Sequence, residues 1–255
     1  MSFLSLVVIT FNEEKNIERC LLSVKDIADE MLVVDSESTD RTREIAESLG
    51  ARVIIQPFLG YIEQMNFALG AATHDYVLSL DGDEALSPEL AASVRTEKEK
   101  GFTLHGYIMN RRNWFIDRWI TTSGWYPDKK LRLYNRHKGR WGGINPHYRM
   151  MLQDGSPTKR LKGDILHYTY YSIEEYVLQI NKFSSISARA MYDMGRRAGW
   201  FNLVWNPLVA FVKSYIISAG FKDGFYGYLI AKQTVNLTFL KYAKLLKMQK
   251  DAAAG

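Results

Sequence analysis

The first hundred residues alternate between short runs of branched apolar residues and longer amphipathic stretches. Runs at 4–10, 31–34, 52–56 and 76–80 read as strands, and the segments 14–24, 39–49 and 61–72 between them carry apolar residues at helical spacing. Strands with no polar alternation need cover on both faces, which helical crossovers supply. The pattern predicts an α/β fold with a mostly parallel, Rossmann-like central sheet and flanking helices. Ligands of such sheets bind beyond the carboxyl ends of the strands, so the residues after each run are the ones to read for chemistry.

Four such segments follow the four runs: Thr10-Phe11-Asn12-Glu13, Asp35-Ser36-Glu37-Ser38-Thr39-Asp40, Pro57-Phe58-Leu59-Gly60 and Asp81-Gly82-Asp83-Glu84. Three carboxylates in four residues repel one another unless a cation or surrounding donors offset the charge. Asp81 and Asp83 are therefore candidate ligands of Mg²⁺ or Mn²⁺, against the plainer reading of a solvated acidic turn. Asp35 stands where a carboxylate can accept hydrogen bonds from a uracil or a ribose, while Ser38, Thr39 and Asp40 suit helix capping. The first turn has no G-x-G-x-x-G, which argues against a nicotinamide enzyme.

Beyond residue 100 the pattern changes. Residues 101–167 are rich in Arg, Trp, Tyr and Gly, with short runs at 106–110 and 131–134. Trp114, Trp119, Trp125 and Trp141 suit either sugar stacking or ordinary packing. A helix is expected over 174–198, followed by an apolar run at 199–219 that Asn202, Asn206, Pro207 and Lys213 interrupt. That run reads as an interfacial membrane segment, with a packed helix pair or an oligomer interface as the alternative. The expected organisation is an α/β domain over 1–168, with halves over about 1–100 and about 101–168, then a helical C-terminal region over 169–255.

Charge sharpens this division. Residues 1–155 hold 19 Lys and Arg against 22 Asp and Glu, and residues 156–255 hold 14 against 6. An anionic partner is implied for the second part, and a membrane surface fits better than nucleic acid because no nucleic-acid-binding motif accompanies the charge. Cys20 is the single cysteine, so no internal disulfide can form and a reducing compartment is expected. The 4–10 run lacks a basic flank and reads as a strand, not a signal peptide. The expected location is cytoplasmic, peripheral on the inner face of the membrane.

Several motifs occur together: Val8-Ile9-Thr10-Phe11-Asn12-Glu13, Val33-Val34-Asp35-Ser36, Gly60-Tyr61 with Gln64 and Asn66, Leu80-Asp81-Gly82-Asp83-Glu84, and Leu131-Arg132-Leu133-Tyr134. With His167, Ser172-Ile173-Glu174-Glu175-Tyr176 and Gly220-Phe221-Lys222-Asp223-Gly224, the chain resembles family 2 glycosyltransferases of the GT-A fold over nearly its whole length. The nearest subgroup is that of bacterial lipopolysaccharide core biosynthesis. The resemblance implies metal-dependent, inverting transfer of a sugar from a nucleotide-sugar donor to a lipid-linked saccharide. It implies a donor pocket holding Thr10, Asn12, Glu13, Asp35, Gln64, Asn66 and Asp81, with Asp83 the acid that most directly reaches the metal. An acidic general base is expected after the histidine of 145–147, and this chain has Tyr148 there. Asp128, Glu84 and His147 are the remaining candidates, unless the enzyme is impaired. Two alternatives stay open: a sugar-phosphate nucleotidyltransferase, disfavoured because Phe11-Asn12-Glu13-Glu14 stands where a Gly-rich loop is expected, and a non-catalytic membrane-associated binding module.

Overall fold

A computed structural model describes residues 2–144 and 147–254. The chain divides into two compact units. The first holds 112 N-terminal residues together with Asp128–Gly143 and His147–Thr169, and the second holds Asn113–Pro127 and the stretch from Tyr170 onward. Residues 113–127, which the sequence groups with the half over about 101–168, thus belong to the second unit.

The first unit is built on β1 (Leu4–Thr10), β2 (Glu30–Asp35), β3 (Arg52–Ile55) and β4 (Tyr76–Asp81), with α1 (Ile17–Leu22), α2 (Thr42–Ser48) and α3 (Tyr61–Ala71) between them. Next come β5 (Glu84–Leu86), α4 (Pro88–Glu99) and β6 (Gly106–Phe115), whose last residues form a hairpin with β7 (Arg118–Ile120) in the second unit. Then follow β8 (Asp128–Asn135), the paired strands β9 (Gly139–Ile144) and β10 (His147–Leu152), and β11 (Thr158–Tyr170). The main sheet runs β3-β2-β1-β4-β8-β6-β11-β5. It is parallel from β3 to β4, as expected, while β8 runs antiparallel to both β4 and β6, and β5 runs antiparallel to β11, giving a mixed sheet.

All seven residues of β1 are buried because the pleat sends alternate side chains into two separate cores. Leu4, Leu6 and Val8 join Val33, Leu78 and Leu80 against Ile17 and Leu21 of α1 and Leu90 and Val94 of α4. Val7 and Ile9 join Leu32, Val34 and Val77 against Met65, Ala68 and Leu69 of α3. Two of the expected helices are shorter than the apolar spacing predicts. Residues 14–16 form a turn closed by the Glu13 carbonyl, which accepts the amides of Asn16 and Ile17 at 2.9 and 2.8 Å. Residues 38–40 make bonds to the loop after β1, so α2 starts only at Thr42.

Glu30 ties the strand starts together. Its carboxylate accepts from Arg52 at 2.6 Å and from the Thr73 backbone and hydroxyl, both at 2.8 Å, as well as from the Ser5 hydroxyl. Burial opposes ionisation, but these donors outweigh it and hold the carboxyl at about 2, down from 4.5. A depressed carboxylate stabilises the fold above its unfolded pKa and loses that contribution as pH falls from about 4.5 toward about 2. After solvent screening, Glu30→Gln is expected to cost about 1–2 kcal/mol at pH 7. Urea titrations at several pH values should show that deficit shrinking as pH falls from about 4.5 and vanishing below about 2; a pH-independent deficit would contradict the assignment.

The second unit contains α5 (Ile173–Asp193), α6 (Trp200–Phe211), a π-helical turn at Val212–Ile217, a 3-10 turn at Gly220–Asp223 and the long α7 (Gly224–Ala254), which packs on α5 and α6. The helix expected to reach residue 198 stops at Asp193. There Gly195, at φ 72°, turns the chain and donates to the Tyr192 carbonyl at 2.9 Å, while Arg196 donates to that of Met191 at 2.9 Å. Phe115, Ile120, Tyr176, Ile180 and Ile230 form this unit's core. Trp125 joins its edge, and Trp114 meets Trp119 edge to face at 5.1 Å. These tryptophans are packing residues here.

Candidate functional site

Strand register brings the polar segments to one sheet edge. Thr10 lies opposite Asp35, and Ile9 lies opposite Asp81. Asp35 is fully buried and accepts the Ser38 amide at 2.8 Å and the Ser38 hydroxyl, with the Arg43 guanidinium 3.8 Å away. The same Ser38 oxygen accepts the Asn12 amide at 2.8 Å, and the Asn12 carboxamide oxygen accepts the Thr39 amide at 2.8 Å. Asn12 sits at φ 55°, a conformation asparagine tolerates better than most side chains. The loops after β1 and β2 are therefore knitted together around Asp35. Ser38 holds the two loops together, while Asp40, one residue ahead of the N-cap position of α2, accepts the Thr42 amide at 3.0 Å.

Gln64 donates to Ser36 Oγ at 3.1 Å and to the Gln56 carbonyl at 3.2 Å, and its own oxygen is buried with no hydrogen-bond partner among the described residues. Asn66 lies apart in role. Its carboxamide clasps the Trp141 backbone in both directions at 3.0 Å, fastening β9 to α3, so its place in the donor pocket gives way to a structural one.

The acidic run splits into three different environments. Glu84, a base candidate from sequence, is buried: one oxygen accepts from Arg111 at 3.1 Å and Arg132 at 3.3 Å, and the other accepts the Asp81 amide at 3.0 Å. Burial alone would favour the neutral acid, but Arg132 and then Arg111 outweigh it and keep the carboxyl below its usual range. A permanently ionised, sequestered carboxylate cannot collect a proton from a substrate. Glu84 instead orients Arg132, which reaches Asp81 at 2.9 Å. Tyr148 Oη lies 3.4 Å from Asp81, and its ring stacks on Tyr61 at 5.3 Å and 6°. Burial, then the Asp81 charge, pushes the Tyr148 phenol well above its ordinary value, so it stays neutral and donates.

Asp83 meets a histidine where Asp81 and Glu84 meet arginines. Its carboxylate is 3.1 Å from His167 Nε2, and the other ring nitrogen of His167 lies 2.9 Å from the Thr169 hydroxyl. The Asp83 carbonyl accepts the Tyr168 amide at 2.9 Å, joining the turn to β11. Glu13 faces the same corner. Burial, then the Asp83 charge, pushes its carboxyl up to about 7. Gly82 makes this convergence possible, since a Cβ there would stand 2.8 Å from Thr10 Oγ1 and 3.0 Å from Glu13 Cγ. Thr10 Oγ1 is itself buried without a hydrogen-bond partner among the described residues.

A divalent cation fits this arrangement. Asp83 and His167 offer one carboxylate and one imidazole on one side, and Thr169 can fix the ring's tautomer from behind. No three His, Cys, Asp or Glu side chains converge among the described residues, so an ion here needs further oxygens from a phosphate or water. Asp81, expected as a second ligand, is instead engaged by Arg132 and Tyr148. The sequence alone gave no geometric reason to join His167 to Asp83, although the histidine belonged to the motifs noted. Asp128 opens β8, paired with Arg111 at 2.8 Å and Lys130 at 3.1 Å, its side chain 29% exposed. The His147 side chain lies outside the described residues, as do residues 145 and 146.

A carboxylate-lined edge on an α/β sheet fits an enzyme that binds a phosphorylated ligand, and comparison with known proteins gives the family. Residues 5–156 match Glycosyl transferase family 2, and the chain belongs to that family. An uncharacterised glycosyltransferase of Rickettsia typhi is 33% identical over 262 residues, covering 97% of this chain and 88% of the relative. The lipopolysaccharide core biosynthesis glycosyltransferase LpsC of Rhizobium meliloti is 27% identical over 247 residues, covering 95% of this chain and 91% of LpsC. Among solved structures, glucosyl-3-phosphoglycerate synthase of Mycobacterium tuberculosis with Mn²⁺ and UDP-glucose is 26% identical, covering 44% of this chain and 43% of its own, with a TM-score of 0.36, too slight an overlap to argue from.

Proposed function

We propose that this family 2 glycosyltransferase moves a sugar from a nucleotide-sugar donor to a lipid-linked saccharide of the lipopolysaccharide core type, with inversion. One observation carries the reading: the Asp83–His167 pair lies at the same strand ends as the buried Asp35 cradle, the layout a nucleoside diphosphate needs. The Asn12–Ser38 loop, knitted around Asp35, would receive the nucleoside, and Asp83 with His167 would hold Mg²⁺ or Mn²⁺. A divalent cation there neutralises charge developing on the departing phosphate.

The remaining work falls to side chains of this chain. Arg132, fixed by Glu84, holds Asp81 in place beside the diphosphate. As the acceptor oxygen bonds to the anomeric carbon and the carbon–phosphate-oxygen bond breaks, the hydroxyl proton passes to Asp128. Of the base candidates described with side chains, Asp128 is the one whose carboxylate reaches solvent. The lipid-linked acceptor is supported by full-length similarity to LpsC.

A thermal-shift screen of UDP- and ADP-sugars with and without Mn²⁺ tests the donor and the metal together. A donor at a hundred times its Kd stabilises by about 2.7 kcal/mol, a Tm rise of roughly 5–10 °C for a chain of this size. The rise is expected only with metal, accompanied by slow metal-dependent hydrolysis of the same donor. Equal shifts without metal would remove Asp83 and His167 from this role, and binding without turnover by any acceptor would favour a non-catalytic module.

A further inference from the structure

In the second unit, α6 is amphipathic in the reverse sense. Its exposed positions, Trp200, Phe201, Val204, Trp205, Leu208 and Val209, recur at helical spacing and are all apolar, with Trp200 74% exposed. Its polar residues Asn202 and Asn206 are half-buried, and the Asn202 carboxamide oxygen accepts the Gly199 amide at 3.0 Å. The strip continues through Ile216 and Ile217 of the π-helical turn, the latter also 74% exposed. The start of the helix is anchored, since the Ala198 amide donates to Gln249 of α7 at 3.0 Å. An exposed apolar strip of this extent on a fixed element marks a docking surface.

Charge identifies the occupant. Between Asp193 and Asp223 the chain carries Arg196, Arg197, Lys213 and Lys222 and no acidic residue, and all four cations are exposed. A second copy meeting this strip about a two-fold axis would set like charges together, whereas an anionic leaflet supplies their complement. No single helix among the described residues is long and apolar enough to cross a membrane; only taken together do the Trp200–Ile217 segment and the helix from Gly220, bent by 67° at their junction, have the length and composition of a broken span or re-entrant loop. Pro207 lies within α6, and Ala219 takes a left-handed turn at φ 54°.

We propose that α6 and the following π-helical turn lie in the plane of an anionic phospholipid bilayer as a monotopic anchor, the tryptophans entering the acyl boundary and the flanking cations meeting the headgroups. The anchor is independent of sugar transfer, so it can stand or fall without the enzymatic reading.

Flotation with vesicles of three parts phosphatidylcholine to one part phosphatidylglycerol provides the test. The full chain should float with these vesicles and bind pure phosphatidylcholine at least about tenfold more weakly, because the attraction of the near-surface cations to anionic headgroups is lost. Val204→Ser with Leu208→Ser changes only exposed positions and should lower binding about tenfold or more with Tm unchanged. Trp200→Phe with Trp205→Phe should keep flotation while abolishing most quenching by lipids brominated near the headgroup end of their chains. Flotation unaffected by the serine variant, or quenching unaffected by the phenylalanine variant, would overturn the proposal. So would a concentration-dependent dimer that the serine variant dissociates, in a protein that does not float.

Discussion

Asp83→Ala is expected to lower the transfer rate by about a thousandfold or more, the scale seen when one charge-stabilising group is removed from a transition state. The loss should appear in turnover without a comparable loss of fold, because the Asp83 side chain is part-exposed and its ion-pair partner is His167. His167→Ala should follow the same course more mildly, and both variants should lose the Mn²⁺-dependent part of the donor's thermal shift. Asp81→Asn provides the contrast. It keeps an oxygen for Arg132 and should retain metal dependence while weakening the donor. Steady-state kinetics against Mn²⁺ concentration would separate the two positions. Undiminished, metal-dependent turnover by Asp83→Ala would place the cation elsewhere.

Arg132→Met is expected to destabilise the protein by about 3–5 kcal/mol, the cost of leaving buried charge without its partner. Arg132 is itself buried and bridges Asp81 and Glu84 at 2.9 and 3.3 Å, so its removal leaves Glu84 with Arg111 as its remaining guanidinium. Tm should fall by roughly 10 °C or more for a chain of this length. The pH dependence has a definite sign. Losing Arg132 raises the Glu84 pKa in the folded state, so protonation relieves the variant and its deficit narrows as the solution becomes acid. Adding Glu84→Gln to Arg132→Met should recover part of the loss, giving a coupling between the two sites when compared with each single change. Strictly additive effects would mean the bridge contributes nothing to stability.

The parallel half of the sheet was legible because its strands are apolar on both faces, a pattern few other structures demand. Helix starts were less so. Ser38, Thr39 and Asn12 bond across loops more than twenty residues apart, and local spacing does not show that they are already engaged. The acidic run was legible as a cluster but not as a division of labour. What separates Glu84 from Asp83 is that Arg111 and Arg132 arrive from β6 and β8, whereas His167 arrives from β11. Asn66 misled for the same reason: its partner is a backbone 75 residues away. Arrangements of this kind are set by sheet order, and the antiparallel additions beyond β4 were the part of that order the apolar rhythm did not predict.

His167 reaches the site through the pairing of β11 with β5, in which it stands opposite Glu84 and Leu166 stands opposite Ala85. Adjacent residues on a strand point to opposite faces, so a slip of one residue would deliver a neighbour's side chain in its place. The partner of Asp83 is thus encoded in a counting relation between two strands as well as in the identity of one residue. Deletions of one residue within 158–166 are expected to separate His167 from Asp83 with both residues still present in the sequence, whereas added length in the turn at 153–157, before β11 begins, would leave that count intact.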